Sequence, residues 1–292
     1  MNKKLLISAL LPSLMLAACS NDDNDDNGTE TQTGTIMQFA ATSGDIAVNC
    51  DNKLTGLGEG VEADLQSLAF YIHDVQLETD TNQIVDVKLA TNDWQQENVA
   101  LLDFTNRLDD CASADAKPTN SNVTGSYELP EGAEVTGVRF KVGVPFELNH
   151  NDPAEADKPL NRADMFWNWQ GGYKFLKADV AVNGSAIARW NIHMGSTGCD
   201  GDPVSGGTTS CVNPNRTQVE LGSFTPGDTV RFDYQTLVAE ATMATNTPDT
   251  PPGCMSKPGD PECVSIFNKM GLEYGDSGAA PAQSVFTVVT AE

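Results

Sequence analysis

Basic residues are scarce in this chain. Its 292 residues hold 17 Lys and Arg against 41 Asp and Glu, a formal net charge of −24. So acidic a surface excludes nucleic-acid binding through a basic footprint. It attracts cations or a basic partner and keeps the chain soluble. Histidine and tryptophan are also rare, with 3 and 4 copies. No HExxH segment occurs, so a zinc hydrolase lacks its ligand pair. There is no GxSxG nucleophile elbow and no CxxCH for a covalently held haem. No CxxC occurs either, which weakens a thiolate metal cluster. The carboxylates are too many to nominate an acid/base pair. The apolar stretch near the start is too short to span a bilayer as a stable helix.

What is present begins with a leader. Lys3 and Lys4 precede a short apolar stretch from Leu5 to Met15, and Leu16-Ala17-Ala18-Cys19 follows. This is the pattern of a secretory signal, and Leu-Ala-Ala-Cys resembles a bacterial lipobox. Residues 1–18 are therefore expected to be a lipoprotein signal peptide, with Cys19 lipidated. Ser20 after it resembles the sorting pattern for the outer membrane, so a periplasmic or cell-surface lipoprotein is expected. Residues 19–34 carry no apolar side chain after the cysteine and read as an acidic flexible tether. Asp23, Asp25, Asn27 and Gly28 follow the start of a calcium loop, but Gly34 stands where its closing glutamate is needed. Residues 35–292 suit one β-rich domain.

Six cysteines remain after Cys19, namely Cys50, Cys111, Cys199, Cys211, Cys254 and Cys263. In an exported chain an even count reads as disulfides. Cys199 and Cys211 are near neighbours, as are Cys254 and Cys263, which leaves Cys50 with Cys111. Six cysteines allow fifteen pairings, so spacing alone does not prove this one.

Strand patterns dominate. Residues 36–41 alternate loosely, and residues 68–77 form a long aromatic and β-branched run. Val138, Phe140, Val142 and Val144 alternate with Gly137, Arg139, Lys141 and Gly143, so one face is buried and the other wet. Residues 173–182, 185–194, 218–224, 229–234 and 285–289 also read as strands, with Asn183-Gly184 as a hairpin turn. Residues 262–270 are the best helix, and 64–68 and 237–243 are weaker ones. The fold class expected is all-β, a β-sandwich or open barrel with long disulfide-stapled loops and one or two short helices.

The residues with chemistry crowd into one stretch. Between Lys141 and Cys199 lie His150, His193, Trp167, Trp169 and Trp190. Both histidines stand near strand ends, where loops build sites. A lone histidine is ordinarily structural, and His73, inside a strand pattern, has that reading too. Tryptophans ordinarily pack in cores. In Trp190-Asn191-Ile192-His193-Met194, alternation puts His193 on the face opposite Trp190 and Met194. Imidazole suits copper, zinc or nickel, and thioether sulfur from Met165 or Met194 would favour Cu(I).

The chain resembles the MbnP-like copper-binding proteins, the metallo-mystery-pair four-Cys family. The resemblance rests on FYIHDVQL, NVALLDF, KVGVPFELNH, PLNRADMFWNWQGGYKF, WNIHMGSTGC, PGCMS and the closing MGL. It covers most of the mature domain and is specific as a set. It implies a periplasmic or surface-held protein that binds copper and is not itself an enzyme. It also implies a partner, a MauG-like di-haem cytochrome c peroxidase, that oxidises a tryptophan to kynurenine near the metal. His150 and His193 carry over as ligands, with His73 as a third candidate. Trp167, Trp169 and Trp190 are the candidates for oxidation, and Cys199, Cys211, Cys254 and Cys263 match the four-Cys motif. Two other readings stand beside it. One is a metal-free glycan- or peptide-binding sandwich with Trp167 and Trp169 as its platform. The other is a small mononuclear copper oxidase.

Overall fold

The computed structural model describes residues 29–275 and 278–289. The expected signal peptide, Cys19 and the calcium-like Asp/Asn run lie outside them. The strands that build the body are β1 (Thr29–Ser43), β2 (Val61–Thr79), β3 (Val99–Asp103), β4 (Asn122–Pro130), β5 (Val135–Val142), β6 (Leu176–Val182), β7 (Arg189–Met194), β8 (Thr217–Gly222), β9 (Thr229–Asp233) and β10 (Phe286–Val289). They form two open sheets, as in a β-sandwich. One runs β10-β9-β1-β4, ending on the short Lys88–Leu89 strand. The other runs β8-β5-β2-β6-β7, ending on Gly253–Cys254, and β3 also pairs with β2.

The alternation read from the sequence is what makes two faces. Val138, Phe140 and Val142 of β5 are buried, while Arg139 and Lys141 remain partly exposed. Phenylalanines from both sheets meet at the centre. Phe70 lies 5.6 Å from Phe39, 5.3 Å from Phe232 and 5.8 Å from Phe286, and Phe140 lies 5.7 Å from Phe39. The mixed edge-on and tilted geometries are those aromatic pairs prefer.

One departure from sheet regularity positions everything that follows. β5 and β6 pair with the same long strand β2, β5 along residues 72–79 and β6 along residues 63–70. They part at Tyr71. Its amide donates to the Phe175 carbonyl at 2.9 Å, and its carbonyl accepts from the Gly143 amide at 2.8 Å. The chain between, residues 144–175, therefore leaves the sheet and folds over its outer face. Beneath it lies a second small apolar core that includes Tyr71, Leu101, Val144, Met165, Tyr173 and Phe175.

Several expectations are corrected. Residues 64–68 are part of β2 and not a helix, because apolar partners on neighbouring strands override local propensity. The expected helix over 237–243 begins earlier, as Tyr234–Val238, where Asp233 accepts amide hydrogen bonds as N-cap. With Phe146–Asn149 and Cys263–Lys269, the described residues hold three short α-helices where one or two were expected. The segment before His150 is the first of these helices and not a strand end. Residues 29–34, read as tether, extend β1 and pair with residues 125–130 of β4. A polar segment with no core to bury can still satisfy its backbone on a sheet edge. The cysteines are bonded Cys50–Cys111, Cys199–Cys211 and Cys254–Cys263.

Phe70 touches both sheets, so Phe70→Ala should cost about 3–5 kcal/mol of stability. Urea unfolding of the two proteins measures it, and a loss under about 1 kcal/mol would show that this cluster is not the organising core.

Candidate functional site

His150 follows the helix Phe146–Asn149. The fully buried Asn149 anchors this corner: its Oδ1 accepts the Tyr173 amide at 3.0 Å, and its Nδ2 reaches the Gly171 carbonyl at 3.4 Å and His150 Nε2 at 3.2 Å. His150 Nδ1 lies 3.3 Å from the Trp169 carbonyl. A carbonyl only accepts, so Nδ1 carries the proton and Nε2 keeps a lone pair. Burial lowers the imidazole pKa, partly opposed by the Trp169 carbonyl, and Arg216 lowers it further. The ring is therefore neutral near pH 7. Phe146 packs edge-on against it at 5.2 Å.

The double glycine of WNWQGGY has a steric reason. Gly172 has φ 74°, and a β-carbon there would lie 2.2 Å from the Asn149 carbonyl oxygen.

His193 sits on β7. Its Nε2 lies 2.8 and 3.1 Å from the two Asp179 carboxylate oxygens. Nε2 thus donates to the carboxylate, and Nδ1 is the ring's other nitrogen. That Nδ1 is buried and without a hydrogen-bond partner. A carboxylate holding one imidazole nitrogen while the other is free is how proteins orient metal-binding histidines. Ser256 Oγ donates to the His193 carbonyl at 2.9 Å and accepts from the Gly195 amide, fixing the strand end.

His73 is 2% exposed. Its Nδ1 is 3.2 Å from Asp74, yet neither ring nitrogen has hydrogen-bond geometry to a partner. Burial lowers its pKa against the pull of Asp74. The Arg216 charge acts on both His73 and His150.

The three imidazoles do not form one cluster. Among the described residues, the one set of three histidine, cysteine or carboxylate ligand atoms within 4.8 Å of each other belongs to His150, Cys199 and Cys211. Those two cysteines are disulfide-bonded and offer no thiolate.

The tryptophans separate clearly. Trp190 is fully buried in the main core, and so is Met194, as alternation opposite His193 requires. Met165 is buried in the second core. These three face away from open ligand positions because each fills apolar volume. Trp169 contributes its carbonyl to His150, and its ring packs 6.0 Å from Phe166. Trp167 is different. A β-carbon on Gly171 would lie 3.3 Å from its Cε3, and one on Gly195 would lie 2.6 Å from its Cζ3. The indole is wedged between the two glycines. Gly171 is bonded to Asn149 beside His150, and Gly195 follows His193 by two residues on the same strand face. Trp167 thus stands between the two histidine segments. It lines an open cleft of about 300 Å³ together with Gln170, Ser196, Cys199 and Met255. Met255, not Met165 or Met194, is the methionine that reaches it. The wedged ring leaves little of the flat exposed platform that the metal-free reading requires.

Sequence reasoning missed Asp179, Arg216 and Asn149. Asp179 had a signal: with Lys177 it is a charged residue on one face of a strand otherwise built of apolar residues. Arg216 had none, since it lies in a loop far along the chain.

The MbnP family model matches residues 32–256. The chain belongs to the MbnP family. Among solved structures it is similar to MbnP from Methylosinus trichosporium, with a TM-score of 0.76 and 29% identity over 89% of this chain and 98% of that one. No curated protein matches. The donor set suits a soft or borderline metal ion: imidazoles, one with an orphaned buried nitrogen, beside a thioether and an indole.

Gly195→Ala should push Trp167 from its seat, because the new methyl meets the indole and the Tyr173 carbonyl, 2.8 Å away. The expected result is an altered tryptophan emission maximum and a loss of about 1–3 kcal/mol. Unchanged emission and stability would mean the indole is not held there.

Proposed function

We propose that this chain is an exported copper-binding lipoprotein, anchored through Cys19 in the outer membrane, and that it is the substrate of a MauG-like di-haem cytochrome c peroxidase rather than an enzyme in its own right. Membership of the MbnP family, which is associated with copper, supports the metal. The observation that carries the site is the position of Trp167 between the segments bearing His150 and His193. In this reading His193 offers Nδ1, its ring oriented by Asp179 at Nε2, and His150 offers Nε2 in exchange for its Asn149 contact, its ring oriented by the Trp169 carbonyl at Nδ1. Met255 adds a thioether. Bound copper would supply a soft, redox-capable cation at this cleft. His73, enclosed beside Asp74, supports the sheet under the site and stands outside the ligand set.

Trp167 is the indole we assign for oxidation to kynurenine. With two equivalents of hydrogen peroxide as the oxidant, reduced to water, the partner's haems withdraw four electrons. The C2–C3 bond of the indole opens with gain of two oxygen atoms to give N-formylkynurenine, and water then releases C2 as formate to leave kynurenine. The aryl amine and ketone so formed stand at the cleft wall where a metal can meet them. Trp190 is sealed in the core and is expected to remain intact.

His150→Ala and His193→Ala should each lose copper when the purified proteins are measured by elemental analysis against wild type. Full copper content in both variants rules the site out. Mass spectrometry of protein co-produced with the peroxidase should place the gain of oxygen and loss of carbon on the Trp167 peptide. An intact Trp167 in copper-replete protein refutes the oxidation step and leaves the metal site standing.

A further inference from the structure

Outside the cleft, one pair of side chains is electrostatically incomplete. Asp260 and Glu262 are only 2% and 6% exposed. Asp260 Oδ1 accepts the Glu262 amide at 3.2 Å, and Glu262 Oε1 accepts the Thr247 amide at 2.6 Å. Their other oxygens, Asp260 Oδ2 and Glu262 Oε2, are buried without a hydrogen-bond partner. The two carboxylates stand two residues apart in one turn of the loop, which the Glu262 amide bond to Asp260 closes. No ion pair among the described residues joins either of them to Lys, Arg or His. Two buried carboxylates cannot stay ionised side by side without a positive charge, since desolvation and mutual repulsion both oppose it. The charge must come from a proton or a bound cation.

We propose that Asp260 and Glu262 form a divalent-cation site, with calcium as the ion it takes. The free donors are hard carboxylate oxygens, which select calcium over copper or zinc. Two carboxylates match a double positive charge, and backbone carbonyls or waters complete a shell that calcium tolerates in irregular geometry. The site lies beyond residue 256, where the family match ends. It sits in the loop stapled by Cys254–Cys263, just before the helix Cys263–Lys269. The same loop carries Met255 in the cleft wall and Ser256 on the His193 carbonyl. A cation here braces the loop that fixes one end of β7. The competing occupant is a shared proton: burial and then the facing Glu262 push the Asp260 carboxyl up to about 6.

The test uses the full chain, stripped with a chelator and titrated with calcium or magnesium at pH 7.5. Expected are one calcium site by calorimetry and a rise of a few degrees in the unfolding midpoint. Magnesium should do less, and both responses should vanish in Asp260→Asn. Glu262→Gln serves as the second variant should Asp260→Asn fail to fold. No calcium response in wild type, or an equal response in wild type and the foldable variant, overturns the proposal. In the former case the pair holds a proton, and in the latter calcium binds elsewhere on the acidic surface.

Discussion

The backbone of Tyr71 is where this molecule stops being a plain sandwich. A strand edge has one row of amides and carbonyls to satisfy, and β2 divides that row between two neighbours. Tyr71 serves both at once, giving its amide to Phe175 and its carbonyl to Gly143. Because β5 ends and β6 begins there, the residues between have no sheet to join and must cross the outer face. The Tyr71 side chain then helps make that crossing stable. Its ring packs against Tyr173 at 5.8 Å, and its hydroxyl donates to the Pro159 carbonyl at 3.1 Å. His150, Trp167 and Trp169 all ride on this crossing segment, while His73 and His193 belong to the sheet beneath. The site is thus an encounter between an excursion and the surface it left.

That architecture separates packing from chemistry. The inner faces carry the phenylalanine cluster, where each buried apolar side chain contributes about 1.5–3 kcal/mol without any polar obligation; the buried Trp190 indole N–H has no hydrogen-bond partner. The outer face carries groups that need partners. Asp103, 1% exposed at its side chain, is matched by both Lys117 and Arg162. Asp179 is matched by His193 and Lys177. Beside these matched pairs, the buried atoms without a hydrogen-bond partner include both ring nitrogens of His73, Nδ1 of His193, Asp260 Oδ2 and Glu262 Oε2. Natural structures rarely leave such groups unpaired unless something else binds them.

Much of this was legible in the residues. Alternation in 137–144 gave the buried face of β5 correctly, and the same rule put Trp190 and Met194 opposite His193. The near-neighbour cysteines are bonded as their spacing suggested. Reading failed where a distant partner decides. Residues 64–68 look amphipathic in isolation, yet β6 and the Lys53–Leu57 strand flank them and hold them extended. Residues 29–34 look unable to fold, yet β4 supplies their hydrogen bonds. Met165 and Met194 looked like soft donors by type, and each proved to be core filling.

The order of residues alone determined the class of fold, the acidic character of the chain, and the stretch in which histidine and tryptophan gather. These follow from local rules of composition and of strand alternation, which need no neighbour. Which imidazole nitrogen is left free, which indole stands between the two histidines, and which methionine reaches the cleft were decided only by tertiary structure. Each depends on groups far apart along the chain, such as Trp167 with Gly195 or His193 with Ser256, and their meeting is set by how the strands part at Tyr71.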